Sequence, residues 1–160
     1  MKIGILSDTH DHLPNLKKAL AIFKSEGCEK ILHAGDFVSP FVINVFKQFG
    51  IPFSGVFGNN DGEWIFLLKL AEAIGEIRKG PIELSLDSRK IALMHEPVYL
   101  SALKQANYFD LIVYGHSHQA IIETSPVLVI NPGEACGYLS EKPTVAICDL
   151  KTLTANLIKL

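Results

Sequence analysis

The chain has 160 residues, a net charge of −2 and an apolar fraction of 48%. This length fits one domain over residues 1–160, and the apolar fraction excludes a disordered chain. A pI of about 6.3 gives no basic footprint for duplex nucleic acid, and the apolar runs are too short to span a membrane.

The first half of the chain alternates strand-like apolar runs with amphipathic segments. Strands are predicted over residues 2–6, 30–33 and 52–57, and helices over 14–24, 40–49 and 63–73. Gly27 and Gly50 follow the first two helices, where glycine commonly ends a helix. This βαβαβα order predicts a largely parallel sheet with helices outside it.

The second half contains more strands than helices. A hairpin is predicted from residues 82–86 and 90–94, followed by a short helix over 99–106 and a strand over 111–114. Further strands are predicted over residues 120–123, 127–130, 144–148 and 154–158. A parallel half followed by a strand-rich half predicts an α/β fold with two sheets packed face to face and helices outside.

The cysteines indicate a reducing compartment. Cys28, Cys136 and Cys148 form no CxxC pair, which argues against a disulfide framework or a zinc knuckle and for buried thiols. Asp8 follows the first apolar run too closely for a signal-peptide core. We therefore expect a cytoplasmic protein.

Polar clusters follow the predicted strands in a fixed order. They are Ser7-Asp8-Thr9-His10, Gly35-Asp36, Gly58-Asn59-Asn60-Asp61, His95 and Gly115-His116-Ser117-His118. Asp8 and His10 are two positions apart, so in extended backbone both would point the same way, and His116 and His118 share this spacing. Imidazole and oxygen donors without thiolate suit Mn, Fe, Ni, Co or Zn.

Two features of these clusters favour a pair of metals. Asp36 is a lone carboxylate placed to bridge two cations, and Asn59 offers a neutral amide oxygen. A metal pair can bind both the attacking and the leaving oxygen of a phosphoryl group. The sequence therefore predicts a two-metal site for phosphoryl chemistry.

At these residues the chain resembles the calcineurin-like metallophosphoesterases, and Asn131-Pro132-Gly133 is similar to a late loop of their compact bacterial and archaeal phosphodiesterase subgroup. The resemblance implies a four-layer αββα sandwich of two mixed β-sheets flanked by helices. It implies two divalent ions, manganese first among the candidates. One would be held by Asp8, His10, Asp36 and His118 and the other by Asp36, Asn59, His95 and His116, with catalytic roles for Asp36, Asn59 and His95.

The chain departs from the family pattern at three positions. Asn60 stands where many relatives carry a His that protonates the leaving oxygen, and an amide cannot supply that proton. His12 is a candidate replacement acid, against the alternative of a residue at a helix start. Glu96 and Glu134 stand where small residues are common, and each brings an acid near the expected site. Glu96 either orients His95 or repels anions.

Four neighbouring side chains have simpler interpretations. His33 is expected to be a satisfied, buried histidine, and Asp61 to organise the turn that carries Asn59 rather than to bind metal. Trp64 and Phe66 either cover the pocket and stack on a base or aryl group, or pack the core of the third helix.

The predicted reaction is hydrolysis of a phosphodiester, either a small molecule or a nucleotide, by a hydroxide activated between two metals. One alternative is a non-catalytic interaction scaffold with a metal site, as in the retromer subunit similar to this subgroup. Another is a phosphomonoesterase or nucleotidase. The complete ligand set favours an enzyme, and the apolar content leaves a homodimer open.

Overall fold

A computed structural model describes residues 1–160. Its strands are β1 (Lys2–Leu6), β2 (Lys30–His33), β3 (Phe53–Val56), β4 (Gly75–Arg78), β5 (Ile82–Leu86), β6 (Arg89–Leu93), β7 (Leu111–Val113), β8 (Ala120–Glu123), β9 (Leu128–Pro132), β10 (Thr144–Asp149) and β11 (Thr154–Lys159). Its helices are α1 (Leu13–Ser25), α2 (Phe41–Phe49), α3 (Trp64–Ala71) and α4 (Leu100–Ala106). Every predicted element is present with ends that agree to within two residues. None of the helices has the length and hydrophobicity that crossing a bilayer requires.

The strands form two mixed sheets. One sheet has six strands in the order β11-β10-β1-β2-β3-β4, in which β1 to β4 are parallel. The other has five strands in the order β5-β6-β7-β9-β8, in which β6, β7 and β9 are parallel. Sequence patterning missed β4, because this short strand buries only one apolar side chain, Ile77.

The two sheets do not correspond to the two halves of the chain. The last two strands return to the first sheet, where β10 pairs antiparallel with β1 and places Cys148 opposite Ile3. β1 is buried almost throughout, so its backbone needs a hydrogen-bonding neighbour on both sides. β2 supplies one neighbour and β10 supplies the other.

Three apolar layers confirm the α/β, four-layer αββα arrangement. Side chains such as Ile5, Leu32 and Leu93 fill the space between the sheets. Helices α1, α2 and α3 cover the outer face of the six-stranded sheet, while α4 packs on the five-stranded sheet. Gly4 allows α1 to pack closely on β1, because a Cβ there would lie 2.6 Å from the ring of Phe23.

Candidate metal centre

The predicted ligands converge at the carboxyl ends of strands from both sheets. Asp8 and His10 follow β1, Asp36 follows β2, Asn59 follows β3, His95 follows β6, and His116 and His118 follow β7. Asp8, Asp36 and His95 are buried. The His116 amide donates to Asp8 Oδ2 at 3.2 Å, although the two residues are 108 positions apart in the chain.

Asp8, His10 and His118 form the first group of donors, with their ligand atoms within 4.8 Å of one another. Asp8 Oδ1 lies 3.4 Å from His118 Nε2 and 3.9 Å from His10 Nε2. Both Asp8 Oδ1 and His10 Nε2 are buried without a hydrogen-bond partner. Since unpartnered buried polar atoms are costly, these atoms fit a divalent cation that would satisfy them together.

Asn59 is at the middle of the second group. Its Oδ1 lies 2.9 Å from His95 Nε2 and 3.0 Å from His116 Nδ1. Asp36 Oδ2 lies 3.6 Å from the same His95 nitrogen. Two imidazoles, an amide oxygen and a carboxylate are therefore directed at one position.

Asp36 has the geometry of a carboxylate shared by the two groups. Its Oδ2 lies 3.4 Å from His10 Nε2 and 3.6 Å from His95 Nε2, one ring from each group. Asp8 also comes within 4.8 Å of Asp36 and His95. Its Oδ1, however, is within 4 Å of histidines of the first group only. The contacts therefore favour Asp36 over Asp8 as the bridge.

The ligand loops have left-handed backbone, so the expectation of an extended Asp8–His10 segment was wrong. The φ angles are 53° at Asp8, 40° at His10, 61° at Asp36, 63° at His116 and 57° at His118. Left-handed residues cost on the order of 1–3 kcal/mol each and are found where function requires an unusual side-chain direction. The ligands converge because the chain turns at each of these residues.

Gly115 is required for close approach. A Cβ at this position would lie 1.9 Å from Ser7 Oγ, so any side chain would separate the β7 loop from the β1 loop. The role of Gly115 in the fold is therefore to let the two ligand loops touch.

The contacts of Asp61 confirm the prediction that this residue organises the turn that carries Asn59. Its carboxylate accepts from the amides of Asp36 at 3.1 Å, Val38 at 2.7 Å and Gly58 at 2.7 Å. Burial raises the pKa of the Asp61 carboxyl, and these hydrogen bonds act in the opposite direction. One side chain thus ties the loop of Asp36 to the loop of Asn59.

Asn60 donates hydrogen bonds to both oxygens of the Asp36 carboxylate. Its backbone amide donates to Asp36 Oδ1 at 2.8 Å, and its Nδ2 donates to Asp36 Oδ2 at 2.7 Å. Sequence reasoning treated Asn60 only as a missing acid. It missed this contact because nothing in the local pattern indicates which side chain an exposed loop amide will reach.

Glu134 is the most tightly held acidic side chain next to the centre. It is fully buried, and its Oε2 lies 2.6 Å from His118 Nδ1. Burial by itself raises the pKa of the Glu134 carboxyl, but hydrogen bonds from Ser140, His118 and Cys136 outweigh it and lower the pKa to about 2. Because the ionised carboxylate accepts the Nδ1 proton, the Nε2 lone pair of His118 faces Asp8.

The remaining histidines lie outside the two groups of donors. His33 is buried, and the Gly35 amide donates to its Nδ1, so Nε2 carries the proton and donates to Thr9 Oγ1 at 3.1 Å. Burial holds its pKa well below the ordinary value, which confirms a satisfied neutral histidine. His12 caps α1, where its Nδ1 accepts from the Asn15 amide.

Glu96 does not orient His95. The Nδ1 of His95 donates to the Ala34 carbonyl at 2.7 Å, so a backbone group fixes the ring. Glu96 is exposed and makes no hydrogen bond. Trp64 and Phe66 are 41% and 55% exposed, so neither packs in the core as one interpretation supposed.

Comparisons with known proteins show similarity in sequence and in fold. A family model described as the calcineurin-like phosphoesterase superfamily domain matches residues 1–153. The chain is 45% identical over 155 residues to phosphodiesterase MJ0936 of Methanocaldococcus jannaschii, with 93% of each chain covered. It superposes on the solved structure of an archaeal phosphodiesterase with a TM-score of 0.94 and 41% identity over 100% of both chains. Vacuolar protein sorting 29 from Cryptosporidium parvum shares the fold, with a TM-score of 0.72 and 18% identity over 99% and 96% of the two chains.

Proposed function

The chain belongs to the calcineurin-like phosphoesterase superfamily, and we propose that it is a phosphodiesterase with two divalent metals at its centre. The observation that carries the proposal is the position of Asp36, whose Oδ2 is within 4 Å of a histidine from each group of donors. The family is metal-dependent, and the donor atoms of this chain fit cations because two of them are buried without partners.

We assign one ion to Asp8, His10, Asp36 and His118 and the other to Asp36, Asn59, His95 and His116. Manganese suits these nitrogen and oxygen donors, as do nickel, cobalt, iron and zinc. When bound, the pair lowers the pKa of water to supply a nucleophile near neutral pH and offsets charge on the phosphoryl oxygens. In this proposal Asp36, Asn59 and His95 are the catalytic residues, because the metals that they would hold would lie beside the reacting phosphate.

The surrounding residues hold these donors in place. The Ala34 carbonyl fixes the ring of His95, and Glu134 fixes the ring of His118. Asn60 commits its amide to Asp36, and an amide is not an acid. His12 lies at the start of α1, outside both groups of donors. Since neither supplies an evident proton to the leaving oxygen, esters with a stable leaving anion should react best.

Substrate preference tests the proposed function. With a divalent metal supplied, we expect faster hydrolysis of bis(p-nitrophenyl) phosphate than of an alkyl phosphomonoester, because p-nitrophenolate leaves without protonation. The measurement is kcat/KM for each ester. Faster cleavage of the alkyl monoester would overturn the assignment in favour of a phosphomonoesterase or nucleotidase.

Asn60→His should improve the reaction of esters with poor leaving groups. A histidine at this position can donate a proton, and general acid catalysis typically contributes about 10²–10⁴-fold. We expect kcat for an alkyl ester to rise at least about tenfold over Asn60→Ala, which removes the same side-chain hydrogen bond to Asp36 and supplies no acid. Equal rates for the two variants would show that a leaving-group acid is not what the site lacks.

Glu134→Gln should weaken metal binding through His118. Replacing the carboxylate that orients a ligating histidine typically costs about 10–100-fold in metal affinity. We expect that loss in a metal titration followed by activity, with recovery of the rate at high metal concentration. Glu141→Gln, on an exposed residue of the neighbouring loop, is the matched control. Unchanged affinity in Glu134→Gln would contradict a positioning role.

We further propose that residues 1–160 form one domain of a cytoplasmic protein, a location in keeping with three free, buried cysteines. A homodimer is the assembly that we propose, because α3 exposes Ile65, Phe66 and Leu68. The interaction scaffold remains the weaker alternative, since the likeness to vacuolar protein sorting 29 is one of fold and the donor set of this chain is complete.

A further inference from the structure

A cleft of about 350 Å³ opens beside the metal centre. Its walls come from the loop after β3, the start of α3, the connection between β4 and β5, and the connection between β6 and α4. Asn59 and His95 line the cleft and also belong to the centre. This volume is within the range of about 300–1,000 Å³ that is usual for small-molecule sites. A substituent on a phosphate bound at the centre can therefore enter the cleft.

Trp64 provides a rigid aromatic wall. Its indole stacks on Phe57 with 4.4 Å between ring centroids and 8° between planes, and its Nε1 donates to the Asp61 carbonyl at 2.6 Å. The Phe57 stack covers one face of the indole, while 41% of the residue remains exposed. A ring held from behind loses little conformational freedom when a second planar group stacks on it.

Hydrogen bonds to Asp61 connect Trp64 to the loop that carries the proposed metal ligand Asn59. Asp61 accepts from Trp64 through its carbonyl, and through its carboxylate it accepts from the amide of Gly58, next to Asn59. The distance between the indole and the metal donor Asn59 is therefore set by one short loop. Such preorganisation is what a ligand bound at both points requires.

Two charged side chains without an ion-pair partner also line the cleft. Lys79 and Glu96 line it, are exposed, and make no ion pair or hydrogen bond within the chain. The edge of a nucleobase presents N–H donors to a carboxylate and oxygen or nitrogen acceptors to an ammonium group. A hydrocarbon substituent offers neither. Val98 and Tyr99, 69% and 55% exposed, add apolar surface to the same cleft.

We propose that this cleft binds a nucleobase stacked on Trp64, and that the substrate is therefore a nucleotide ester whose phosphate lies at the metal centre. The proposal deepens the proposed function and rests on it for the position of the phosphate. An exposed aromatic ring could instead serve a contact with a second copy of the chain through the neighbouring apolar face of α3. The experiments below separate these two occupants.

The first test uses Trp64 as its own reporter, because it is the only tryptophan in the chain. Adenosine 5′-monophosphate and ribose 5-phosphate carry the same phosphate, but only the first has a base. We expect saturable quenching of the tryptophan emission by the nucleotide and little change with the sugar phosphate. Equal effects of both compounds, or none from the nucleotide, would overturn the proposal. A signal that follows protein concentration instead would indicate the second copy.

The second test compares two diesters with one leaving group, thymidine 5′-(p-nitrophenyl phosphate) and ethyl p-nitrophenyl phosphate. We expect Trp64→Leu to lower the ratio of their kcat/KM values about 10- to 100-fold, since stacking one base on an aromatic side chain has an effect of that order. Phe41→Leu is the matched control, an exposed aromatic of α2 outside the cleft, and should leave the ratio unchanged. Tyr99→Leu is a second cleft variant should Trp64→Leu fold poorly.

The two tests fail in distinguishable ways. If metal-loaded protein hydrolyses neither ester, the proposed function fails, while the fluorescence titration still decides whether a base binds. If both esters are hydrolysed and Trp64→Leu lowers both rates equally, the phosphodiesterase assignment stands and the nucleobase site is wrong.

Discussion

Asp36→Asn is expected to lower kcat/KM for bis(p-nitrophenyl) phosphate on the order of 10³-fold or more. The substitution keeps the shape of the side chain and removes its charge. The lost carboxylate is the one whose Oδ2 lies 3.4 Å from His10 Nε2 and 3.6 Å from His95 Nε2. Because both proposed metals share it, a single change weakens two sites. The loss should exceed the effect usual for one isolated transition-state contact.

The control for Asp36→Asn is Asp87→Asn. Asp87 is an exposed carboxylate in the β5–β6 turn, at the end of β6 opposite to His95. The two variants make the same chemical change, so a loss confined to Asp36→Asn locates the effect at the centre. His118→Ala should produce a similarly severe loss. Full activity in Asp36→Asn with a normal Tm would sink the two-metal assignment.

Stripping the protein of metal with a chelator is the second change with a large expected effect. Hydrolysis should fall to background and return when Mn, Ni, Co, Zn or Mg is added singly. Loss of metal leaves the buried Asp8 carboxylate and His10 Nε2 without partners. Burial raises the pKa of the Asp8 carboxyl, so without a cation the charged form of this group is disfavoured.

The same experiment should change thermal stability. Binding at about 100 times Kd stabilises the folded state by about 2.7 kcal/mol, which for a chain of this size raises Tm by roughly 5–10 °C. Asp36→Asn should show a smaller shift with the same metal. Chelated protein that retains its rate would contradict metal dependence. A metal-dependent rise in Tm without hydrolysis of any ester would favour the interaction scaffold.

Two side-chain hydrogen bonds make the site more specific than its ligand motifs suggest. Glu134 fixes the ring of His118, and the side-chain amide of Asn60 donates to the carboxylate of Asp36. The first contact orients His118 for metal binding. In the second contact the side chain is an amide rather than an acid, so only esters with a stable leaving anion should react well. Together these contacts predict an enzyme whose rate of hydrolysis depends strongly on the stability of the leaving group. The cleft beside the metal centre would select the rest of the substrate.

Residue patterns along the chain were enough to predict every element except β4, and the candidate metal donors. Strand patterns are local, because burial on both faces requires a run of apolar residues such as 3–6, and the polar ligands follow these runs directly. Parallel strands place such ends at one edge of a sheet, so the convergence of Asp8, Asp36 and Asn59 could be expected before any coordinates. The short β4 was missed, since one buried isoleucine creates no pattern.

Contacts between distant parts of the chain could not be predicted from local residue patterns. The return of β10 to pair with β1 depends on a contact across most of the sequence, for which the local pattern contains no signal. The left-handed backbone at Asp8 and His10 depends on neighbouring loops, such as that of Gly115, against which the β1 loop packs. The hydrogen bond of Glu134 to His118 likewise joins two separate loops. Residue types and spacing specify which groups are available, whereas packing between loops specifies which of them touch.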